Sequence, residues 1–280
     1  MENEPKISLE IPEKKFEREQ FEKIAILIRH PAVRLEQMME MIKSENDEVS
    51  WDELEDKLLI EQGAGHEMSK DFVQHLMQEI PEIVKTEKGS REYAIYSSPI
   101  HRAEALARYV LINLESAHKN NPNVLLPKGK LEKTGNFAEI PIAYKKGKIL
   151  KILEKVKNEG RPTMSVMEDW FNSDPEFIAS IFEKERIRVL DALKKLETKP
   201  IPVSLIFTHR LVTGFILWLI EHQGEDRPIT VDDLPQIMDI VRKLAYTSES
   251  EIGWKNDKWH ILRKGDTSHL QDENIIKGTF

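Results

Sequence analysis

The chain has 280 residues, 40% of them hydrophobic, which is enough apolar material for one large core. It contains no cysteine, which excludes disulfides, cysteine-ligated metal centres, iron–sulfur clusters and thiol nucleophiles. Its formal net charge of −8 argues against a nucleic-acid partner, because such proteins usually present a basic face.

The amino-terminal residues indicate a soluble protein. Residues 1–22 are highly charged and lack the apolar stretch of a signal peptide, and the longest apolar run, 215–220, is too short to cross a bilayer. We therefore expect a cytoplasmic protein without a membrane partner. Residues 1–22 would form a mobile leader and residues 23–280 a single domain, with a variable, proline- and glycine-rich insert around 120–172.

Three uncharged apolar runs each lead to residues suited to binding an anion. They are residues 24–28 before Arg29 and His30, residues 93–96 before the loop to Arg102, and residues 203–207 before Thr208 and His209. Such runs are typical of strands buried on both faces. Ligands of open α/β sheets lie outside the carboxyl ends of the strands, so we expect one convergent site. Two imidazoles and two guanidiniums around one point indicate a phosphate site.

Helical patterns follow the first two strands. Apolar spacing predicts helices over residues 33–42 and 66–79. Ser98 and Pro99 are favourable residues for the cap and first turn of a helix that continues to about residue 116. This helix would carry Arg102 in its first turn, directed back towards the strand end.

The carboxyl-terminal half also has clear signals. A capping pattern at residues 173–176 predicts a helix to about residue 196, and a helix that is apolar nearly all round follows His209. Two runs on either side of Asn256 and Asp257 predict a closing hairpin. We expect the first of these helices to bury five apolar side chains: Phe177, Ile181, Ile187, Leu190 and Leu193.

The motifs at the strand ends resemble those of the histidine phosphatase superfamily, the phosphoglycerate-mutase-like group. That family has Arg-His-Gly after its first strand, then Ser-Pro-x-x-Arg-Ala-x-x-Thr-Ala, and later a strand-borne His-Gly. The matching segments are Arg29-His30-Pro31, residues 98–107 with Arg102 and Ala103 at the Arg-Ala position, and Thr208-His209-Arg210. The resemblance covers about residues 24–270 and implies a three-layer α/β/α sandwich with a mostly parallel central sheet.

The resemblance implies a role for each strand-end residue. His30 would be the nucleophile, forming a phosphohistidine that water later cleaves. Arg29 and Arg102 would bind the phosphoryl oxygens through paired donors. His209 would be protonated and bind the transferring group, and Thr208 would orient His209, contact phosphate or be a plain strand-end residue. This chemistry needs no metal and no cofactor.

The leaving group also needs a proton. The family supplies it from a carboxyl group after the Arg-Ala helix, and the nearest match here is Glu139, with Glu132 as its rival. Apolar neighbours at Phe137 and Ile140 would favour the protonated form that a general acid needs.

The functions of several other charged residues are left open. The lysines after this segment would form either a basic lid over an anionic substrate or a solvated face: Lys145, Lys146, Lys148 and Lys151. Three histidines lack metal-ligand spacing and are expected to take no part in the chemistry: His66, His101 and His269.

Two departures from the family pattern affect the expected function. Pro31 and Arg210 replace the family's glycines; proline removes a backbone N–H, and arginine adds bulk and charge. We expect a metal-independent phosphomonoester hydrolase acting on a small phosphorylated metabolite. The alternatives are a catalytically impaired homologue that binds a phosphorylated ligand or partner, and a mutase-type phosphotransferase. Substrate identity and oligomeric state stay open.

Overall fold

The computed structural model describes residues 18–30, 48–50, 64–87, 89–140, 143–145, 168–169, 171–223, 225 and 227–269. Within these ranges the helices are α1 (Ala64–Val84), α2 (His101–Asn120), α3 (Pro175–Thr198), α4 (Arg210–Glu221) and α5 (Leu234–Arg242). The strands are β1 (Lys23–Arg29), β2 (Glu48–Ser50), β3 (Lys85–Thr86), β4 (Gly89–Ser90), β5 (Tyr93–Ser97), β6 (Glu132–Lys133), β7 (Ala143–Lys145), β8 (Val203–Thr208), β9 (Glu249–Lys255) and β10 (Lys258–Asp266).

The main sheet has six strands in the order β10-β9-β1-β8-β5-β6. Strands β1, β8, β5 and β6 are parallel to one another, whereas β9 runs antiparallel to β1 and β10 antiparallel to β9. Two small antiparallel pairs, β2 with β7 and β3 with β4, lie outside this sheet. The predicted mostly parallel sheet is therefore confirmed.

Helices cover both faces of the sheet. Along β1, Ile24, Ile26 and Ile28 pack in one core cluster with α1 and α2, while Ala25 and Leu27 pack in a second with α3, α4 and α5. Side chains alternate across a strand, so an uninterrupted apolar run is what a strand covered on both faces requires. The architecture is the predicted three-layer α/β/α sandwich.

Local turns account for several element boundaries. β9 and β10 form the predicted hairpin, with Asn256 and Asp257 at φ of 54° and 58°, the left-handed region that a tight two-residue turn uses. Helix α3 begins as predicted, where the Asp174 side chain accepts a hydrogen bond from the Phe177 N–H. The predicted cap of α2 is wrong by two residues: the N-cap is Ile100, whose N–H donates to the Ser98 hydroxyl.

Some predictions lie on segments that are not described. These are most of the leader, the helix over residues 33–42, Pro31 and much of the insert. The described part of the insert includes β6, which adds to the sheet beside β5. Among the described residues, no helix combines the length and apolarity needed to cross a membrane.

Candidate active site

The ends of three adjacent parallel strands form the candidate site. In the sheet, Arg29 of β1 is in register with Thr208 of β8, and Ser97 of β5 is in register with Phe207. The residues that follow these strands, His30, His209 and Ser98, therefore lie at the same edge of the sheet. The predicted convergence follows from this register.

His30 lies at the centre of the group and is only 3% exposed. The Arg102 Nε donates to its Nε2 over 3.0 Å. A guanidinium can only donate, so the His30 Nε2 is an acceptor and the neutral ring carries its proton on Nδ1. The lone pair of Nε2, which a nucleophile needs, therefore faces the site.

The two arginines are held by different elements. Arg102 is in the first turn of α2 and is 1% exposed. Arg29, at the end of β1, donates from Nη1 to the Leu244 carbonyl over 2.8 Å, and its guanidinium carbon lies 3.6 Å from the centre of the Tyr246 ring. Tyr246 also meets the His30 ring edge-on at 6.1 Å. Sequence patterns did not point to this tyrosine.

His209 is the N-cap residue of α4, with an extended backbone. Its ring centroid lies 5.2 Å from that of His30, and its Nε2 is 2.8 Å from the Ser98 Oγ. Its buried Nδ1 has no hydrogen-bond partner among the described residues. The amino end of a helix favours an anion, so the position of this ring suits a phosphate ligand.

The electrostatics of the site are those of an anion receptor. Burial lowers the pKa of His209 well below its ordinary value, and the positive charges of Arg102 and Arg29 lower it further. The ring is therefore neutral near pH 7 in the site without a ligand. A bound phosphate dianion would raise the pKa of His209 and favour the protonated form that the family resemblance implies.

This lowered pKa predicts a loss of stability in mild acid. The unfolded chain takes up a proton at His209 near pH 6.5 and the folded site does not, so the free energy of unfolding falls as the pH drops below that value. One such proton contributes at most about 1.4 kcal/mol per pH unit. Urea unfolding at pH values on either side of 6.5 should show a steeper loss for wild type than for His209→Gln. If the free energies of unfolding of wild type and His209→Gln depended equally on pH, His209 would not be the cause of the loss.

Glu139 lies beside the start of α4. Its Oε1 accepts hydrogen bonds from the Ile140 N–H over 3.0 Å and from the Val212 N–H over 3.3 Å. Val212 is in the first turn of α4, three residues after His209. The carboxylate thus binds an N–H group that a helix leaves without an internal partner, and this places Glu139 next to the histidine.

The rival carboxylate, Glu132, faces elsewhere. It is on β6, and its side chain, 54% exposed, forms an ion pair with Lys199 at 2.9 Å. Lys199 follows α3 and precedes β8, at the opposite end of that strand from His209. The Glu132 carboxylate is thus paired with Lys199, whereas the Glu139 carboxylate lies beside the start of α4.

Thr208 and Arg188 hold the segment that carries Glu139. The Thr208 hydroxyl donates to the Phe137 carbonyl over 2.7 Å. Arg188 of α3 donates to the carbonyls of Gly135 and Asn136 over 2.8 Å and to that of Ala138 over 2.9 Å. The sequence analysis did not identify Arg188, because a charged residue in a predicted amphipathic helix is expected to lie on the solvent-exposed face.

Arg210 is bound through its guanidinium to the end of α5, although its charge and that of Arg29 in the site still repel each other. It is 8% exposed and donates to the carbonyls of Val241 and Arg242 in the last turn of α5. Cationic groups suit the carboxyl end of a helix. Burial first, and then the charge of Arg29, lower the pKa of Arg210 to about 9.

The fold and site together define a class: a three-layer α/β/α protein with two histidines and two arginines at the carboxyl edge of its parallel strands. No protein-family model matches the chain, and no curated protein matches it. Among solved structures, those that resemble it include a phosphoserine phosphatase and a phosphoglycerate mutase.

Three of these structures illustrate the likeness. Phosphoserine phosphatase of Entamoeba histolytica, in complex with 3-phosphoglyceric acid, is 16% identical, with a TM-score of 0.47 over 89% of this chain and 99% of that one. Phosphoglycerate mutase of Bacillus anthracis is 13% identical, with a TM-score of 0.44 over 94% and 100%. A mycobacterial glucosyl-3-phosphoglycerate phosphatase is 10% identical, with a TM-score of 0.48 over 88% and 100%. These values are too low to assign a function, which has to come from the site.

Proposed function

We propose that the protein is a phosphoryl-transfer enzyme of the histidine phosphatase type. In this proposal it hydrolyses a small phosphorylated metabolite in the cytoplasm, without a metal ion, through a phosphohistidine at His30. The observation that carries the proposal is the buried His30 Nε2, which lies 3.0 Å from the Arg102 Nε with a second imidazole, His209, beside it.

The first step would transfer the phosphoryl group to the enzyme. The substrate phosphate would take the donors of Arg29 and Arg102, and this would release the His30 Nε2 from its hydrogen bond with Arg102. The Nε2 lone pair then attacks phosphorus while the bond from phosphorus to the ester oxygen breaks. Fixed donors around the three equatorial oxygens stabilise this transition state.

The second step would regenerate the enzyme. Water attacks the phosphohistidine, the P–N bond breaks and inorganic phosphate leaves. His209, once an anion has favoured its protonated form, would donate to a phosphoryl oxygen. Two moderate barriers would replace the very high barrier of direct hydrolysis.

Glu139 would move the protons in both steps. In the first it protonates the leaving oxygen, and in the second it takes a proton from the attacking water. The position of Glu139 beside the first turn of α4, held by Thr208 and Arg188 through the preceding backbone, supports this role.

The contacts of Arg210 weaken the alternative of a catalytically impaired homologue. Pro31 and Arg210 were the two reasons for considering that alternative, and the Arg210 guanidinium is engaged with the end of α5. The Arg210 side chain is therefore held by residues of α5, which argues against a blocked phosphate site. This leaves the proline as the departure on which impaired catalysis would rest.

Hydrolysis of an aryl phosphate in the presence of EDTA tests the proposal. We expect turnover by the wild-type protein, together with an acid-labile, alkali-stable phosphoenzyme after rapid denaturation with a radiolabelled substrate. Transfer of the phosphoryl group to an added alcohol in preference to water would indicate the mutase-type alternative. Tight binding of phosphate esters without turnover or phosphoenzyme would contradict the proposal and favour a binding protein.

A further inference from the structure

A second group of polar side chains lies between α1 and the β9–β10 hairpin. His75 and Glu79 are one helical turn apart on α1, and Glu249 is the first residue of β9. The His75 Nε2 lies 3.6 Å from a carboxylate oxygen of Glu79 and 3.9 Å from one of Glu249. One ligand atom from each of the three residues falls within 4.8 Å of the others.

These spacings suit a shared ion better than hydrogen bonds. Atoms bound to one tetrahedral Zn²⁺ at 2.0–2.1 Å are about 3.3 Å apart, whereas 3.6 and 3.9 Å exceed the reach of a hydrogen bond. Glu249 is fully buried, and its Oε1 has no hydrogen-bond partner among the described residues. The same holds for the buried His75 Nε2. The Glu249 Oε1 thus has lone pairs with no donor from this part of the chain, and the neutral His75 ring can present its lone pair at Nε2.

The charges around these residues also favour a cation. The described charged residues that pair here are four carboxylates, Glu79, Glu249, Glu251 and Asp266, and two guanidiniums, Arg18 and Arg263. With neutral histidines and all four carboxylates ionised, the group is two positive charges short, which is the charge of one divalent ion. Without such an ion, burial and then the charge of Glu79 raise the pKa of Glu249 well above its ordinary value. Buried carboxylates need such compensation.

We propose that His75, Glu79 and Glu249 bind one divalent transition-metal ion of the Zn²⁺ class. Imidazole nitrogen and carboxylate oxygen are both zinc ligands, whereas Mg²⁺ prefers oxygen ligands alone. Arg263 donates to both carboxylates and would fix their orientation. His269 stacks on the His75 ring at 4.7 Å and would hold it in place.

The site is separate from the candidate catalytic residues but joined to their strand. Glu249 is in register with Ile28 of β1, two residues before His30. The Thr247 N–H donates to the His30 carbonyl over 3.4 Å, and the Ser248 carbonyl accepts from the Arg29 N–H over 3.1 Å. The ion would brace α1 against β9 and takes no part in the chemistry, so the proposal holds whether or not the protein is a phosphatase.

Binding of Zn²⁺ to the chelator-treated full chain tests the proposal. Equilibrium dialysis should give one saturable site, with Co²⁺ producing visible absorption bands of low-coordinate geometry. His75→Ala and Glu249→Gln should each weaken Zn²⁺ binding at least about tenfold. Should Glu249→Gln fail to fold by circular dichroism, Glu79→Gln replaces it, because Glu79 is partly exposed.

Matched variants identify the site. His260→Gln, at an exposed position of β10, and Glu82→Gln, at an exposed position of α1, should leave Zn²⁺ binding unchanged. His30→Ala should also leave it unchanged, and a loss in that variant would place the ion at the other histidines. Absence of saturable binding, or binding that survives both His75→Ala and Glu249→Gln, would overturn the proposal.

Discussion

Replacing His30 with alanine is expected to lower kcat for an aryl phosphate by at least about 10⁴-fold, the order seen when a catalytic nucleophile is removed. The reason is that the proposed nucleophile, the His30 Nε2, lies beside the Arg102 donor and the His209 ring, where the phosphoryl group would bind. The phosphoenzyme should disappear with the activity. Initial rates in EDTA and trapping after rapid denaturation measure the two effects.

Binding measurements keep this result interpretable. Arg29, Arg102 and His209 remain in the His30→Ala protein, so it should still bind phosphate esters, and calorimetry can show this. His118→Ala is a suitable control, because His118 lies at the far end of α2 and contacts the Val124 carbonyl. Unchanged hydrolysis by His30→Ala would disprove the phosphohistidine mechanism.

Glu139→Gln should have an effect that depends on the leaving group. With an alkyl phosphate, whose alkoxide needs a proton as it departs, kcat should fall by roughly 10²- to 10³-fold. With a nitrophenyl phosphate, whose leaving group is stable as an anion, formation of the phosphoenzyme should change little. Parallel assays with the two esters give the ratio that reports general-acid catalysis.

Glu132→Gln is the matched control for Glu139→Gln. It removes the same charge from the same segment but from the exposed pair with Lys199, so both esters should be hydrolysed at the wild-type rate. The opposite pattern, with the alkyl ester affected only in Glu132→Gln, would move the acid role to the rival residue. Loss with both esters in Glu139→Gln would indicate that the carboxylate chiefly positions α4.

The sequence predicted most of the candidate site because its signals are local. A charge-free apolar run marks the length of a buried strand, so Arg29, His30, Thr208 and His209 could be placed at strand ends. Arg102 followed from helix start signals, even though the cap itself was misplaced. Contacts between residues far apart in the sequence produce no local pattern. The three hydrogen bonds from Arg188 to carbonyls of residues 135–138 are an example.

Helix α3 shows how far a pattern can mislead. Ile181 and Leu193 are buried as predicted, but the predictions for Phe177, Ile187 and Leu190 are wrong, because these side chains are exposed. The buried face instead includes Phe182 and Val189. Apolar residues occur all around this helix, so periodicity did not specify which face meets the sheet.

The sequence by itself determined the buried strands, the closing hairpin and which side chains stand at the strand ends, since each depends on neighbouring residues. Only the tertiary structure decided the register that brings those ends together, the contacts of Glu139 and Glu132 and the hydrogen-bond partners of the Arg210 guanidinium. It alone brought Glu249 to His75 and Glu79. These features depend on pairing between distant segments, whose energy comes from packing and burial and is not written in any local pattern.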